Sequence, residues 1–292
     1  MFAIFEQKSQ NIFIWEDITG IMFKKIVFWC EFPETVDWKK AESLIKGIPS
    51  EVYVAVKSVK EYKRYKIKTE LPIYPWPVLS KKEGYWFSGF TSKKSIDKLK
   101  QFKGIKIKVD LEPPIPKWKY GTVKIILYAM RKIFQKGKNN EYLRRVIYET
   151  AGKGSGIVTK NINMIINEFP FARWYLKNQG TYLELKESMN KNYMCYTTFA
   201  GSFFRPFIRF YLKPFTKLAV KRNKDVMFSI GLIGTGILER EGTYRNVKQF
   251  TEDLKMVKES GVKQVAIYSL EGILKRKNPE EWVRAVKEFV SR

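Results

Sequence analysis

The sequence predicts an α/β fold, a (β/α)8 TIM-type barrel with parallel strands and an irregular middle region. Two observations predict it. Apolar strand-like runs alternate with amphipathic helical segments, and eight strands can be counted in 292 residues. An open doubly wound sheet usually has fewer strands. No linker marks a second domain, so residues 1–292 are predicted to form a single barrel domain with a basic aromatic insertion at about 200–223.

The first half of the chain predicts four strands. The first two are apolar runs separated by a helical segment. The third must end by Pro75, because a central strand tolerates proline poorly. Gly104 then turns the chain into a fourth strand with strict alternation of apolar and polar residues. The predicted strands cover 25–31, 51–56, 71–74 and 105–114, and the predicted helices cover 36–46 and 92–102.

The second half is regular mainly at its end. Glycines between 152 and 156 interrupt a middle region of helical periodicity, and the strand predicted at 181–185 has only a weak apolar pattern. The other predicted strands cover 193–198, 225–233 and 263–269. The predicted helices cover 122–134, 140–150, 161–178, 246–260 and 279–290.

The fourth predicted strand divides its side chains between two faces. Because side chains alternate along a strand, Ile105, Ile107, Val109 and Leu111 share one face. The other face carries, in order, Lys106, Lys108, Asp110 and Glu112. In a barrel the apolar face packs on the helices and the charged face projects inward. Buried charges need partners, so we expect the two lysines to pair with acids from other strands.

Acidic residues end three of the predicted strands: Glu31 ends the first, Asp110 and Glu112 end the fourth, and Glu271 follows the last. Enzymes with a (β/α)8 barrel carry their active sites at the carboxyl ends of the strands. Paired carboxyl groups suit glycoside cleavage, in which one donates a proton and another stabilises the sugar cation, attacks it or directs water. The alternative for each acid is a salt bridge that closes the barrel mouth.

The apolar strand that ends in Asp110-Leu111-Glu112 resembles the fourth strand of family 18 and family 25 glycoside hydrolases. The resemblance covers about ten residues and implies a glycoside-hydrolase-like (β/α)8 barrel. It implies that Glu112 is the general acid and Asp110 its electrostatic partner, which leaves Glu31 or Glu271 as the second carboxylate. Lysines stand where the family 18 pattern has a further acid upstream, so the resemblance does not extend to a substrate-assisted mechanism.

Aromatic residues cluster near the predicted strand ends. Flat rings pack well on the apolar faces of sugars, and tyrosine and tryptophan are also common core residues. The loop after the third strand is dense in aromatic residues, which makes Trp76 and Trp86 the first candidates for saccharide contact. The full set of candidate substrate-binding residues is Trp29, Trp76, Tyr85, Trp86, Tyr196 and Tyr268.

The composition points to an anionic partner and limits the available chemistry. Lys and Arg number 55 against 29 Asp and Glu, a net charge of +26, which suits an acidic saccharide, an acidic membrane surface or nucleic acid. The cations are spread along the chain, so nucleic acid is less favoured. The chain has no histidine, which excludes histidine triads and histidine-ligated zinc. Abundant Lys, Glu and Ile also fit a protein from a hot environment.

The same composition predicts a reducing compartment and no metal or organic cofactor. Cys30 and Cys195 have no metal-ligand spacing and lie in apolar runs, so we expect buried structural thiols. No secretory signal and no apolar run of membrane-spanning length is visible in the sequence. We therefore expect a cytoplasmic protein, with peripheral attachment to a membrane as the alternative.

Two segments predict rival functions. The glycine-rich loop 231–236 follows the seventh strand, where many barrels bind phosphate, and predicts a phosphosugar-binding enzyme as one alternative. A glycine-rich tight turn is the favoured explanation of the same residues. The basic aromatic segment 203–222 suits a non-enzymatic barrel that binds an acidic membrane surface or nucleic acid. Pro206 and Pro214 argue against one unbroken helix there, and a helix that covers the barrel is the remaining alternative.

Overall fold

A computed structural model describes residues 25–112, 135–151, 156–160, 170–184, 189–237 and 242–291. Within these residues, eight strands form one sheet in which every neighbouring pair is parallel, in the order β3-β2-β1-β8-β7-β6-β5-β4. The strands are β1 Lys25–Cys30, β2 Ser50–Val56, β3 Ile73–Pro77, β4 Lys108–Leu111, β5 Gly156–Lys160, β6 Met189–Met194, β7 Met227–Ile230 and β8 Gln264–Tyr268.

Helices follow most of these strands, as expected for parallel β/α units. They are α1 Trp38–Ile45, α2 Val59–Lys66, α3 Lys93–Ile96, α4 Asn140–Ala151, α5 Pro170–Gln179, α6 Gly201–Arg222, α7 Val247–Lys258, α8 Leu270–Leu274 and α9 Pro279–Ser291. Short 3₁₀ segments lie at Pro33–Thr35, Lys81–Glu83, Asp97–Phe102 and Thr197–Ala200. Polar caps fix several helix starts; the Ser269 side chain, for example, accepts from the amide of Gly272 and starts α8 directly after β8.

The two faces of the sheet bury different sets of side chains. Ile26 and Phe28 of β1 belong to the large apolar cluster shared with the helices, whereas Val27 and Trp29 belong to a second cluster on the opposite, inner face. In β4, Val109 follows the helix-side pattern. The predicted division of side chains between the faces of β1 and β4 is therefore confirmed.

The third strand departs from prediction, because it continues through Pro75 to Pro77. The amide of Val78 donates to Val56 of β2, so in a strand of period two the amides at positions 75 and 77 point away from β2. β3 lies at one end of the strand order, and proline there removes no hydrogen bond from its ladder with β2. The prediction treated β3 as a central strand, which was wrong.

A residue after β3 makes the connection to β4 instead. Phe87 pairs in parallel with Leu111. Its amide donates to the carbonyl of Asp110 over 3.3 Å, and its carbonyl accepts from the amide of Glu112 over 3.1 Å. The two end strands of the sheet are thus linked through the aromatic loop that follows β3.

Three predictions for the second half were wrong. The fifth strand was predicted at 181–185, but residues 181–184 form no strand. The fifth strand is instead Gly156–Lys160, and it begins at a glycine that was expected to break the chain. The sixth strand begins and ends four residues before the predicted one. The basic aromatic segment forms a continuous helix, α6, that contains Pro206 and Pro214. Both prolines are exposed, where water can replace the lost hydrogen bonds. The predicted segments 122–134, 161–169 and 113–114 lie outside the described residues.

Cys30 and Cys195 are free, buried thiols, as the sequence predicted. Burial raises the pKa of both, so neither is activated as a nucleophile. Among the described residues, no helix is long and apolar enough to cross a bilayer.

Candidate functional site

Four acids lie at the carboxyl ends of the strands, where the sequence predicted them. Glu31 directly follows β1, Asp110 lies in β4 and Glu112 follows it, and Glu271 lies in the first turn of α8 after β8. All four side chains are buried. Strands β1 and β8 are neighbours in the sheet, so Glu31 and Glu271 lie side by side.

Lys108 occupies the centre of the inner face. Its Nζ lies 2.6 Å from Asp110 Oδ2, 3.1 Å from the ring centre of Trp76 and 4.5 Å from that of Trp29. The side chain is 2% exposed. Burial lowers the pKa of Lys108, and the carboxylates of Asp110, Glu31 and Glu112 oppose that shift. The sequence predicted a partner on another strand; the partner is instead Asp110, two residues along the same strand.

The outer lysine of β4 does pair with another strand. Lys106 Nζ lies 2.6 Å from Glu51 Oε1 of β2 and 4.6 Å from the ring centre of Tyr74. The other oxygen of Glu51 accepts from Lys25 over 2.9 Å. This three-charge group lies near the amino ends of the strands and is separate from the four acids.

Glu31 is the acid on which most elements converge. Its Oε2 accepts from the hydroxyl of Tyr268 and, over 2.9 Å, from the amide of Ile237, and its carboxyl also receives the hydroxyl of Tyr85. Burial raises the pKa of Glu31, although these hydrogen bonds and the charge of Lys108 lower it in part. The carboxyl group of Glu31 therefore has groups from β4, from β8 and from the loops after β3 and β7 around it.

Glu271 supports Glu31 from the neighbouring strand. Its Oε1 accepts from the amide of Glu31 over 3.0 Å, and its Oε2 is buried without a hydrogen-bond partner in the described part of the chain. Burial raises the pKa of Glu271 to about 7, and the nearby charge of Glu31 contributes to the rise. Two carboxyl groups so close cannot both ionise without a cost, so the pair holds protons to a higher pH than isolated acids would.

Glu112 directly follows β4, a strand that does not pair with β1. Its amide is fixed by Phe87, and its carboxyl group is close enough to Lys108 to favour the charged form of that lysine. Asp110 Oδ1 is buried and has no hydrogen-bond partner among the described residues.

The structure separates the six candidate aromatic residues into buried and partly exposed rings. Trp29 and Trp76 are each 1% exposed, and the ammonium group of Lys108 lies against both. Tyr85 and Tyr268 are buried, and the hydroxyl of each donates a hydrogen bond to the carboxyl group of Glu31. The rings of Trp86 and Tyr196 are partly exposed, and Tyr196 lies 6.1 Å from Tyr268 between ring centres.

Sequence reasoning missed the role of Tyr85 as a partner of Glu31. Tyr85 has a φ of 64°, in the left-handed region that residues other than glycine rarely adopt. Such backbone strain costs on the order of 1–3 kcal/mol and is often kept at functional sites. The preceding Gly84 was the available signal, because it turns the chain at this point with a φ of 104°. The resulting conformation directs the Tyr85 ring inward.

The glycine-rich loop after β7 uses its backbone within the protein. The amide of Leu232 donates to Thr198 Oγ1 over 3.0 Å, and the amide of Ile233 donates to the carbonyl of Tyr268 over 2.8 Å. A Cβ on Gly234 would lie 2.7 Å from the Cα of Gly272. Close packing of the loops after β7 and β8 therefore accounts for this glycine. No group of three or more metal-ligating side chains lies together in the described ranges.

Comparison with known proteins gives matches at the level of structure. No family model matches the chain, and no curated protein sequence matches it. The glycoside hydrolase domain of PgaB (BpsB) from Bordetella bronchiseptica matches with a TM-score of 0.52 and 9% identity, over 89% of this chain and 98% of that domain. The fold is glycoside-hydrolase-like.

Two further structures extend this comparison. The endo-β-mannanase/endo-β-glucanase PbGH26A-GH5A of Prevotella bryantii matches with a TM-score of 0.50 and 10% identity, over 92% of this chain and 49% of that one. A dihydropteroate synthetase matches with a TM-score of 0.44 and 6% identity, over 92% of this chain and 94% of that one. At these identities the glycoside-hydrolase-like assignment concerns the fold, and the chemistry must be argued from the site.

Proposed function

We propose that the sheet closes into a single (β/α)8 barrel and that the protein is a carbohydrate-active hydrolase that cleaves a glycosidic bond. The pairing of Phe87 with Leu111 supports closure between β3 and β4. The position of four acids at the carboxyl ends of the strands supports hydrolase chemistry, because barrel enzymes carry their active sites at this end. A fold shared with glycoside hydrolase domains makes a saccharide the best-supported substrate class.

One observation carries the proposal: Glu31 is a buried carboxyl group with a raised pKa, and it shares the nearby charge of Lys108 with a second acid, Glu112. A glycosidase needs one carboxyl group that keeps its proton and another that is ionised. Burial supplies the first condition at Glu31, and the cation supplies the second at Glu112.

These environments favour a distribution of roles that differs from the family resemblance. In this proposal Glu31 donates a proton to the leaving oxygen, and ionised Glu112 stabilises the sugar cation, attacks it or directs water. Glu271 positions Glu31 by accepting a hydrogen bond from the backbone amide of Glu31. Asp110 holds Lys108 in place through their ion pair. The partly exposed rings of Trp86 and Tyr196 would contact the saccharide.

The test is hydrolysis of a panel of polysaccharides that includes a soluble β-glucan and a β-mannan, with release of reducing ends as the readout. We expect Glu31→Gln and Glu112→Gln each to lower kcat by about 10²–10⁴-fold, the usual contribution of a positioned acid or base. Glu34→Gln is the matched control, because Glu34 lies three residues after Glu31 and is exposed. Full activity of either site variant would refute its assigned role.

The pH profile separates the two assignments. If Glu31 is the donor, activity falls on the alkaline side as Glu31 loses its proton, and Tyr268→Phe moves that limb to higher pH. If Glu112 is the donor, as the resemblance implies, this substitution leaves the alkaline limb in place. Failure of the wild-type protein to cleave any member of a broad panel would reject the hydrolase proposal.

A further inference from the structure

Helix α6 carries two opposite faces, and only one of them packs on the other residues that the structure describes. Arg205, Leu212 and Thr216 lie on the buried face. Arg205 contacts Gln249 of α7, and Arg209 binds Asp253 of α7 with Nε 2.7 Å from Oδ1. The helix is therefore anchored along one side, which fixes the direction of the other.

The outer face of α6 is apolar although it is exposed. Helical spacing places Phe204, Phe207, Tyr211 and Leu218 in one stripe, with Phe210 beside it. Phe207 is 67% exposed and Phe210 is 82% exposed. Single exposed apolar residues are common, but five on one face of one helix form a continuous patch of the kind that marks an interaction site.

The charges of the helix are all of one sign. Its 22 residues contain six Lys or Arg and no Asp or Glu. Arg209 and Lys213 form ion pairs with acids of α7 or the residue that follows it. Lys217 and Lys221 are exposed and lie, by helical spacing, along the border of the apolar stripe. The outer face thus combines bulky aromatic side chains with positive charge.

We propose that the outer face of α6 docks on an anionic lipid bilayer, with the helix lying in the plane of the interface. Exposed aromatic residues bordered by lysines are the pattern of interfacial helices, which bury their apolar side at the headgroup boundary and attract acidic lipids. The single convex helix offers no groove in which a nucleic acid strand could stack its bases, so the lipid surface is the better match. This docking is independent of the hydrolase proposal.

The test is co-sedimentation of the full chain with vesicles of phosphatidylcholine that contain about one third phosphatidylserine, compared with phosphatidylcholine alone. We expect binding to the anionic vesicles, weaker binding to the neutral ones, and loss of attraction as salt is added. Phe207→Ser/Phe210→Ser should lower the vesicle partition coefficient at least tenfold. Ile67→Ser is the matched control, because Ile67, the residue directly after α2, is 86% exposed and far from α6 in sequence.

A charge-reversal pair tests the electrostatic part. Lys217→Glu/Lys221→Glu should weaken binding by roughly fivefold or more for each lysine, the effect of one charge near an acidic surface. Lys39→Glu/Lys40→Glu changes the net charge equally on exposed α1 and should have a much smaller effect. Circular dichroism and the melting temperature check that all variants are folded.

Three results would overturn the proposal. The first is that the wild type does not bind anionic vesicles at low salt. The second is that the α6 variants and the control variants lose vesicle binding equally. The third is that the wild type binds an oligonucleotide but no vesicles, and that the α6 variants abolish the oligonucleotide binding. The last result would assign the face to nucleic acid.

Discussion

At the scale of single residues, Glu31 is controlled by opposing influences. Burial raises its pKa, and the hydroxyls of Tyr268 and Tyr85 lower it by stabilising the ionised form. Tyr268→Phe should therefore raise the pKa of Glu31 further, by about one unit or more, since a hydrogen bond to a charged group contributes about 1.5–3 kcal/mol. The measurement is an NMR titration of the protein with carbon-13-labelled glutamate side chains.

A second tyrosine provides the control for this titration. The hydroxyl of Tyr142, on α4, donates to the partly exposed carboxylate of Asp97 over 2.6 Å. Tyr142→Phe removes a similar bond and should leave the Glu31 titration unchanged. A Glu31 pKa that stays constant or falls in Tyr268→Phe would show that the tyrosine does not stabilise the carboxylate.

Lys108 and Asp110 form a buried ion pair whose partners depend on each other. Lys108→Met should lower the free energy of unfolding by about 3–5 kcal/mol, because it leaves the Asp110 charge buried without its cation. The double variant Lys108→Met/Asp110→Leu should recover most of this loss. Urea unfolding measures both. As a control, Lys100→Met breaks an ion pair with Asp97 at the surface and should change the free energy of unfolding little. If Lys108→Met/Asp110→Leu is no more stable than Lys108→Met, this account is wrong.

At the scale of elements, the loops after β7 and β8 depend on a glycine contact. Gly234→Ala should lower the free energy of unfolding by about 1–3 kcal/mol, because its methyl group would meet backbone atoms of Gly272 that cannot rotate away. Thr235→Ala is an exposed control in the same loop. Chemical denaturation measures both, and equal stability of the two variants would show that the loops can separate.

Strands with continuous apolar patterns were predictable from the sequence. β1, β2 and β8 differ from the predicted bounds by a single residue at any end, because their buried runs end at clear polar or proline positions. β6 was displaced because Asn190, Lys191 and Asn192 interrupt its apolar pattern. Asn192 is nevertheless buried, with its amide 2.8 Å from Ser229 Oγ, a tertiary contact that no local pattern reveals.

The wrongly predicted strands β3 and β5 contain a proline and a glycine. Whether such a residue is tolerated in a strand depends on how that strand pairs with its neighbours. Gly156 begins β5 rather than breaking the chain, and Pro75 is tolerated because β3 ends the strand order. Both facts depend on which strands pair, and pairing is set by contacts distant in sequence.

The candidate site was partly predictable. The period of two correctly placed Lys108 and Asp110 on the inner face. The ion pair between these two residues and the hydrogen bonds that tyrosine hydroxyls donate to Glu31 could not be predicted. Both depend on side-chain geometry that the spacing of residues in the sequence does not determine.

At the scale of the whole molecule, the raised pKa of Glu271 links stability to pH. The ordinary pKa of 4.5 rises to about 7 in the folded protein, so the folded state keeps a proton that the unfolded chain has released. The stabilisation is complete below the unfolded pKa and disappears as pH rises through the folded value. The free energy of unfolding should therefore fall between about pH 5 and pH 8, with a contribution on the order of 3 kcal/mol from this group.

Glu271→Gln tests that linkage, because glutamine keeps an acceptor for the amide of Glu31 and stays neutral at every pH. Urea unfolding across this pH range should show a smaller decline for the variant than for the wild type. Glu31 contributes a change of the same sign, so some decline remains. Glu34→Gln should follow the wild type, and parallel curves for all three proteins would remove Glu271 as the source.

The bridge from Phe87 to β4 has a consequence for how this site can be altered. The same two hydrogen bonds fix the backbone of Asp110 and Glu112 and the position of the loop that supplies Tyr85 and Trp86. The ring of Trp86 and the carboxyl group of Glu112, which we propose as a substrate contact and a catalytic acid, are therefore positioned together. Exchange of this loop with the corresponding loop of a structurally similar protein should succeed only when β4 is transferred with it, so the two segments should be exchanged together.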